Sequence, residues 1–147
     1  MSVDVETETT IDRPRAEVAA YATDPANAPD WYTNIESAEL QTPGPLAVGS
    51  RMRFAARFMG RRLVYTYRVE ELVPNERLVM RTDEGPFPME TTYSWTDTGP
   101  GATRMTLRNR GEPAGFAKVG TPLMEIAMRR ANRKDLLQLK RILEARV

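Results

Sequence analysis

The stretch "TPLMEIAMRRANRKDLLQLKRILEARV", residues 121–147, closes the chain on a different period from everything before it. Met124, Ala127, Met128 and Ala131, then Leu136, Leu139 and Leu143, recur mostly at steps of three and four, which lines them along one side of an α-helix. No strong turn pair follows Pro122, and that proline suits a first helical turn, where its missing N–H is not needed. The pattern predicts one long amphipathic helix from about Gly115 to Val147. A helix with one apolar side needs an apolar surface to lie on, so the upstream sequence must supply it.

Upstream the period is two. In "VDVETETTI", residues 3–11, Val3, Val5, Thr7, Thr9 and Ile11 share one side while Asp4, Glu6 and Glu8 share the other. "SRMRFAARFM" sets Met52, Phe54, Ala56 and Phe58 inward against Arg51, Arg53 and Arg57, and Gly60 with Arg61 reads as a tight hairpin turn. "RRLVYTYRVEELVP" aligns Leu63, Tyr65, Tyr67 and Val69, and Pro74-Asn75 makes the next turn. "ERLVMRTD" aligns Leu78, Met80 and Thr82, and "PFPMETTYSWTD" aligns Phe87, Met89, Thr91, Tyr93 and Trp95. After turn glycines, "GPGATRMTLRNRG" sets Met105, Leu107 and Asn109 against Arg104, Arg108 and Arg110. Strands this closely spaced predict an antiparallel meander with one wet face, one strand before the helical break described next and six after it.

That break is "IDRPRAEVAAYATDPANAPDW", residues 11–31. Pro14 suits the first position of a short helix with Asp12 as its N-cap, and Ala16, Ala19 and Ala20 favour the helix. Asp24-Pro25 ends it, and Asp24 can cap a second short turn that reaches Trp31 and Tyr32. Only the last helix is long enough to cover the sheet. The expected fold is α+β: a seven-stranded curved antiparallel sheet wrapped around a long C-terminal helix, with two short helices after strand 1. With no repeats or linkers, residues 1–147 read as one domain. Where the helix and sheet ends diverge, a cavity is expected between them.

Composition narrows the chemistry. The 147 residues contain no cysteine and no histidine, which removes thiolate and imidazole metal sites and every Cys-His or Ser-His catalytic pair. No clustered carboxylate spacing and no glycine-rich phosphate loop is present, so no metal or nucleotide cofactor is expected. A net charge of +1 gives no overall pull toward nucleic acid. No apolar run approaches a bilayer span, and the start "MSVDVETE" is acidic, unlike a signal peptide, so a cytoplasmic protein without integral membrane association is expected.

The order and spacing of "IDRPRAEVAAYATDPANAPDW", "VGSRMRF", "YRVEELVPNERLVMRT", "TYSWTDTGPGATRMTL" and "LLQLKRILE" resemble the START-like helix-grip (SRPBCC) superfamily. The nearest branch resembled is the polyketide cyclase/dehydrase and lipid-transport group of bacterial proteins. The resemblance implies a cavity for a hydrophobic ligand, closed at one end by the two short helices acting as a lid or mouth, with the segment around Trp31 lining it. It does not imply one reaction, since such folds include aromatase/cyclases, carriers and hormone receptors.

The residues expected to meet a ligand are Trp31, Tyr32, Phe54, Tyr65, Tyr67, Met80, Met89, Tyr93, Trp95, Asn109, Met124 and Met128, with Tyr93 and Trp95 foremost. Each has a plainer alternative. Trp31 and Tyr32 can seal a helix-to-sheet corner, the inward aromatics and methionines can be core, and Asn109 and Asn132 can sit at wet element ends. The pocket is expected between residues 123–136 and the inward sheet face, with its mouth near Trp31. Arg51, Arg53, Arg57, Arg104, Arg108 and Arg110 read as a solvated outer face without aromatics for base stacking, so no nucleic acid is expected. Of the acid/base candidates, Glu90 and Asp83 fall on the outward parity. Arg68 and Arg81 do so too, a departure from cyclase relatives with cavity arginines. The sequence therefore reads as a binder or carrier of a small hydrophobic molecule such as a lipid or polyketide. An aromatase/cyclase or dehydratase and a co-chaperone-type interaction module are the alternatives; monomer and homodimer both stay open.

Overall fold

The computed structural model describes residues 2–113 and 119–146. Its strands are Val3–Ile11 (β1), Ile35–Leu40 (β2), Arg51–Phe58 (β3), Arg61–Val73 (β4), Arg77–Glu84 (β5), Met89–Gly99 (β6) and Ala102–Gly111 (β7). They form one seven-stranded sheet in the order β1-β7-β6-β5-β4-β3-β2, with every pair antiparallel. The meander from β2 to β7 joins sequence neighbours, and β1 then lies beside β7 across the whole strand. Helices run over Arg15–Thr23 (α1), Ala28–Trp31 (α2) and Thr121–Glu144 (α3), with a 3-10 turn at Pro25–Asn27 between the first two. This is the expected α+β helix-grip arrangement.

Four local expectations change. Strand β2 was counted but not placed by the alternation, because "IESAEL" is an edge strand with little burial beyond Ile35 and a register shift between Ile35 and Ser37. Asp12 does not cap α1: the N–H groups of Glu17 and Val18 donate to the carbonyl of Pro14, which itself stands at the cap with extended backbone. Asp12 instead donates its own N–H to Glu144 Oε2 at 2.8 Å, tying the end of β1 to the end of α3. The β3–β4 turn is Met59-Gly60, both at positive φ, and Arg61 already pairs with Phe58 across the hairpin. Finally, α3 begins at Thr121; residues 115–118 and Val147 of the expected helix lie outside the described residues. Asp24 does cap as expected, accepting from the Ala26 N–H at 3.0 Å.

Burial divides the inward face into two clusters. The larger gathers Leu136, Leu139 and Leu143 from the second half of α3 with Ile11, Val18, Trp31, Leu78, Trp95, Met105 and Leu107. The smaller gathers Met124 and Met128 from the first half with Val3, Val5 and Phe87. Both short helices pack into the larger cluster through Val18, Ala19, Tyr21, Ala22, Ala28 and Trp31. On the outer face, charges alternate across strands. Arg108 holds Asp4 in a bidentate pair, and Glu90 sits between its cross-strand neighbours Arg81 and Arg110. Such exposed pairs add little stability each.

The leucines of α3 therefore carry the larger core. Leu139→Ala is expected to lower the unfolding free energy in urea by about 2–5 kcal/mol, because the vacated site is fully buried. Leu137→Ala, two residues away on the exposed side, should stay within about 0.5 kcal/mol of the parent.

Candidate functional site

Between the two clusters lies a cavity of about 140 Å³, bounded by the first half of α3 and the concave side of β3 to β7. Strand alternation delivers Phe54, Tyr65, Tyr67, Met80, Met89, Thr91, Tyr93 and Asn109 to it from five strands, each at an inward position. The helix delivers Met124, Met128, Ala131, Asn132 and Asp135, and the end of α2 delivers Tyr32. Ten of the twelve residues expected to meet a ligand thus line one cavity.

Trp31 and Trp95 do not. Trp31 is 0% exposed, its ring 4.0 Å from that of Tyr32 and 5.8 Å from that of Tyr93, so these two tyrosines stand between it and the cavity. Trp95 lies two residues farther along β6, at 6.0 Å from the Tyr93 ring, and belongs to the larger core. The Trp31 side chain itself does not border the mouth. The exposed members of the lining are Arg57 and Pro86, beside the β3–β4 and β5–β6 turns, which puts the open side at that end of the sheet. Asn34, three residues after Trp31, also lines this side, its carbonyl accepting from the Arg57 N–H at 2.8 Å.

The polar groups of the lining fall into two sets. Thr91 donates to Asn109 Oδ1, so its oxygen is left to accept from the Tyr67 hydroxyl at 2.8 Å. Asn109, the least expected inward residue, is in this way anchored as the end of a buried chain. The second set joins the hydroxyls of Tyr32 and Tyr93 in a hydrogen bond. Next to them sits Asp135, 2% exposed, whose Oδ1 accepts from both the N–H and the hydroxyl of Thr33 at 3.0 and 3.1 Å. Burial pushes the Asp135 carboxyl up to about 6, against the opposing pull of the Thr33 bonds and of Lys134. Burial likewise raises Tyr32, Tyr65 and Tyr93, and pushes Tyr67 up to about 12, so these phenols stay protonated donors at neutral pH.

Asp135 is the buried carboxyl of the lining that the strand acid/base candidates do not include. Its signal was present: 128, 132, 135 and 139 step by four, three and four along the buried side of α3, so a carboxylate at 135 had to be buried. Glu90 and Asp83 do face outward as expected, Asp83 bonded to Arg51 at 2.8 Å and Glu90 to Arg81 and Arg110. Arg68 and Arg81 are exposed as well. Among the described residues no three carboxylates gather to hold a metal ion, and no helix is long and apolar enough to cross a membrane.

Comparison with known proteins places this geometry. The profile of the family described as polyketide cyclase / dehydrase and lipid transport matches residues 2–144, and the chain belongs to that family. No curated protein matches it significantly by sequence. Among solved structures, TTHA0849 from Thermus thermophilus superposes with a TM-score of 0.81 at 23% identity, over 98% of this chain and 99% of that one. The Zhui aromatase/cyclase from a Streptomyces species gives a TM-score of 0.80 at 18% identity, covering 98% and 94%. A START superfamily protein from Mycobacterium smegmatis gives 0.72 at 18% identity, covering 98% and 96%. At these identities the likeness is one of fold.

The buried carboxyl has a measurable consequence. Raising Asp135 from 3.8 to about 6 means that the fold favours its protonated form. That contribution is complete below about pH 4 and is lost as pH rises through about 6. Asp135→Asn keeps an acceptor for Thr33 without the charge. Its stability relative to the parent, from urea titrations between pH 4 and pH 8, should rise across this window by up to roughly 3 kcal/mol and level off above it. A flat difference would mean that the carboxyl is well hydrated in the folded protein.

Proposed function

From that membership we propose that the protein binds one small, mostly apolar molecule in the cavity between α3 and the sheet, as a cytoplasmic binder or carrier. The observation that carries this reading is the gap between the two hydrophobic clusters. A well-packed interior has few voids larger than a water molecule, yet here the walls from five strands and a helix are kept apart over about 140 Å³. That volume resembles the roughly 150 Å³ of an engineered apolar cavity that stays dry and takes up benzene. It falls short of the roughly 300–1,000 Å³ of pockets for drug-sized ligands. As it stands, the cavity fits a body of about one ring. A longer acyl chain or a fused polyketide requires Met80, Met89, Met124 and Met128 to repack, which their unbranched side chains allow at low cost.

A second reading, an aromatase/cyclase or dehydratase, draws support from Asp135. Its carboxyl changes protonation near neutral pH beside two phenolic hydroxyls, as a general acid or base requires. Against it stands the outward placement of Arg68 and Arg81, which leaves Arg57, exposed at the rim and paired with Glu36, as the strand arginine of the described lining.

Calorimetry and native mass spectrometry with a panel of single-ring aromatics, fatty acids and aromatic polyketides test the binding reading. Single-ring compounds should bind to the parent. Ala131→Phe, which places a ring in the cavity from α3, should abolish that binding while the far-UV circular dichroism stays that of the parent. No binding by any member of the panel would overturn the proposal.

A further inference from the structure

The donors at the inner end of the cavity do not balance. Tyr32 and Tyr93 bring two hydroxyl protons, and the bond between them uses one. Neither hydroxyl makes another hydrogen bond among the described residues, so one proton has no acceptor. Asn132 is 6% exposed, lines the same cavity, and its Nδ2 has no hydrogen-bond partner among the described residues. Buried amides are almost always bonded, and an unpaired one costs the fold its full desolvation. Asn132 is also no helix-former of choice, and a leucine at that position would extend the apolar side of α3.

Asn132 lies one turn before Asp135 on the same side of α3, and the Asp135 carboxyl is close enough to bear on both Tyr32 and Tyr93. The inner end therefore presents unpaired N–H and O–H donors beside a group that carries negative charge above about pH 6. Elsewhere in the lining Thr82 is bonded to the backbone of Met89, and Tyr67, Thr91 and Asn109 are bonded to one another, while Phe54, Met80 and Met128 offer a ring face and thioethers to the body of a ligand.

We infer that Asn132, with the Tyr32–Tyr93 hydroxyl pair, selects a ligand with a neutral carbonyl oxygen on a ring-sized apolar body, such as an aromatic ketone or aldehyde. The carbonyl oxygen accepts from the Asn132 amide and from the spare tyrosine proton, which satisfies both unpaired donors at once. A carboxylate of the same shape is rejected, because it brings a second negative charge into a water-poor end that already holds Asp135. The inference rests on the proposed reading of the cavity as a ligand site and adds to it the polarity of the ligand and the residue that reads it.

Three molecules of nearly one shape separate the outcomes at pH 8: acetophenone, its apolar counterpart α-methylstyrene, and benzoate. By calorimetry or ligand-observed NMR, acetophenone should bind at least about tenfold more tightly than α-methylstyrene, since a site built to donate rejects the analogue that cannot accept. Benzoate should not bind detectably. Asn132→Leu should abolish the preference for the ketone and leave α-methylstyrene bound as before or more tightly. Without ligand this variant should melt higher than the parent, because it removes an unpaired buried amide. Equal affinities for ketone and hydrocarbon, tighter binding of benzoate, or a ketone preference that survives Asn132→Leu would each overturn the inference while the cavity remains a binding site. A lower melting temperature for ligand-free Asn132→Leu would overturn it too, by showing that the amide serves the fold. If none of the three binds, the reading of the cavity itself fails.

Discussion

A single straight helix has to cover the concave side of a twisted, seven-stranded sheet, and everything else in this molecule follows from that mismatch. The 24 residues of α3 span about 36 Å at the usual rise. A rod of that length meets a curved surface closely along only part of its course. Here the close contact is at the second half, where Leu136, Leu139 and Leu143 meet Trp31, Trp95 and Leu107. At the first half the side chains are Met124 and Met128, unbranched and more adaptable, and they form a second, smaller buried cluster with Val3, Val5 and Phe87. The void lies between these two contacts.

The composition of the buried side of α3 follows the same division. Where helix and sheet touch, the buried positions are leucines. At the margin of the void, in the same stripe, stand Asn132 and Asp135. A polar side chain in a close-packed stretch would be left without partners on every side. Asp135 escapes part of that cost through Thr33, which arrives from the segment between α2 and β2 and bonds its Oδ1 twice. The short helices have their role here. By docking Trp31 under Tyr32, they fix the backbone at Thr33 and with it the orientation of the one carboxyl among the described residues of the lining.

Much of this was legible in the sequence, for a definite reason. A period of two that changes to a period of three and four is a statement about which side of each element is apolar, and it located the inward residues of six strands and of α3. Seven of the ten cavity residues follow from inward strand parity and Met124 and Met128 from the helical spacing of α3, while Tyr32 follows from the family resemblance around Trp31. Trp95 was misplaced because parity says which face a residue takes and nothing about which end of the sheet it occupies, and Trp31 because a family resemblance places a segment and not a single side chain. Trp95 and Tyr93 share a face, and their places along β6 make one core and the other wall. Strand β2 escaped location because an edge strand with one wet side and a bulge has no alternation to read. Asp135 shares the helical spacing of Met128, Asn132 and Leu139, but a carboxylate in an otherwise apolar stripe gives no sign of whether it is paired, exposed or in a cavity wall.

The charge inventory of the interior then limits what the cavity can do. The arginines of the strands are committed outside, Arg108 to Asp4, Arg110 and Arg81 to Glu90, Arg51 to Asp83, and Arg57, at the rim, to Glu36. Turning one inward would cost its outer partners and bury a guanidinium against an apolar wall. The interior is left with phenols, amides and one carboxyl among the described residues. Such a set can donate to a neutral oxygen and can hold or release one proton, but it has no cation with which to balance an enolate. Recognition of a polar end on an apolar body needs no more than this set. Chemistry on an anionic intermediate would need the neutral donors at Tyr32, Tyr93 and Asn132 to do alone what a buried cation does elsewhere, with Asp135 as the acid beside them.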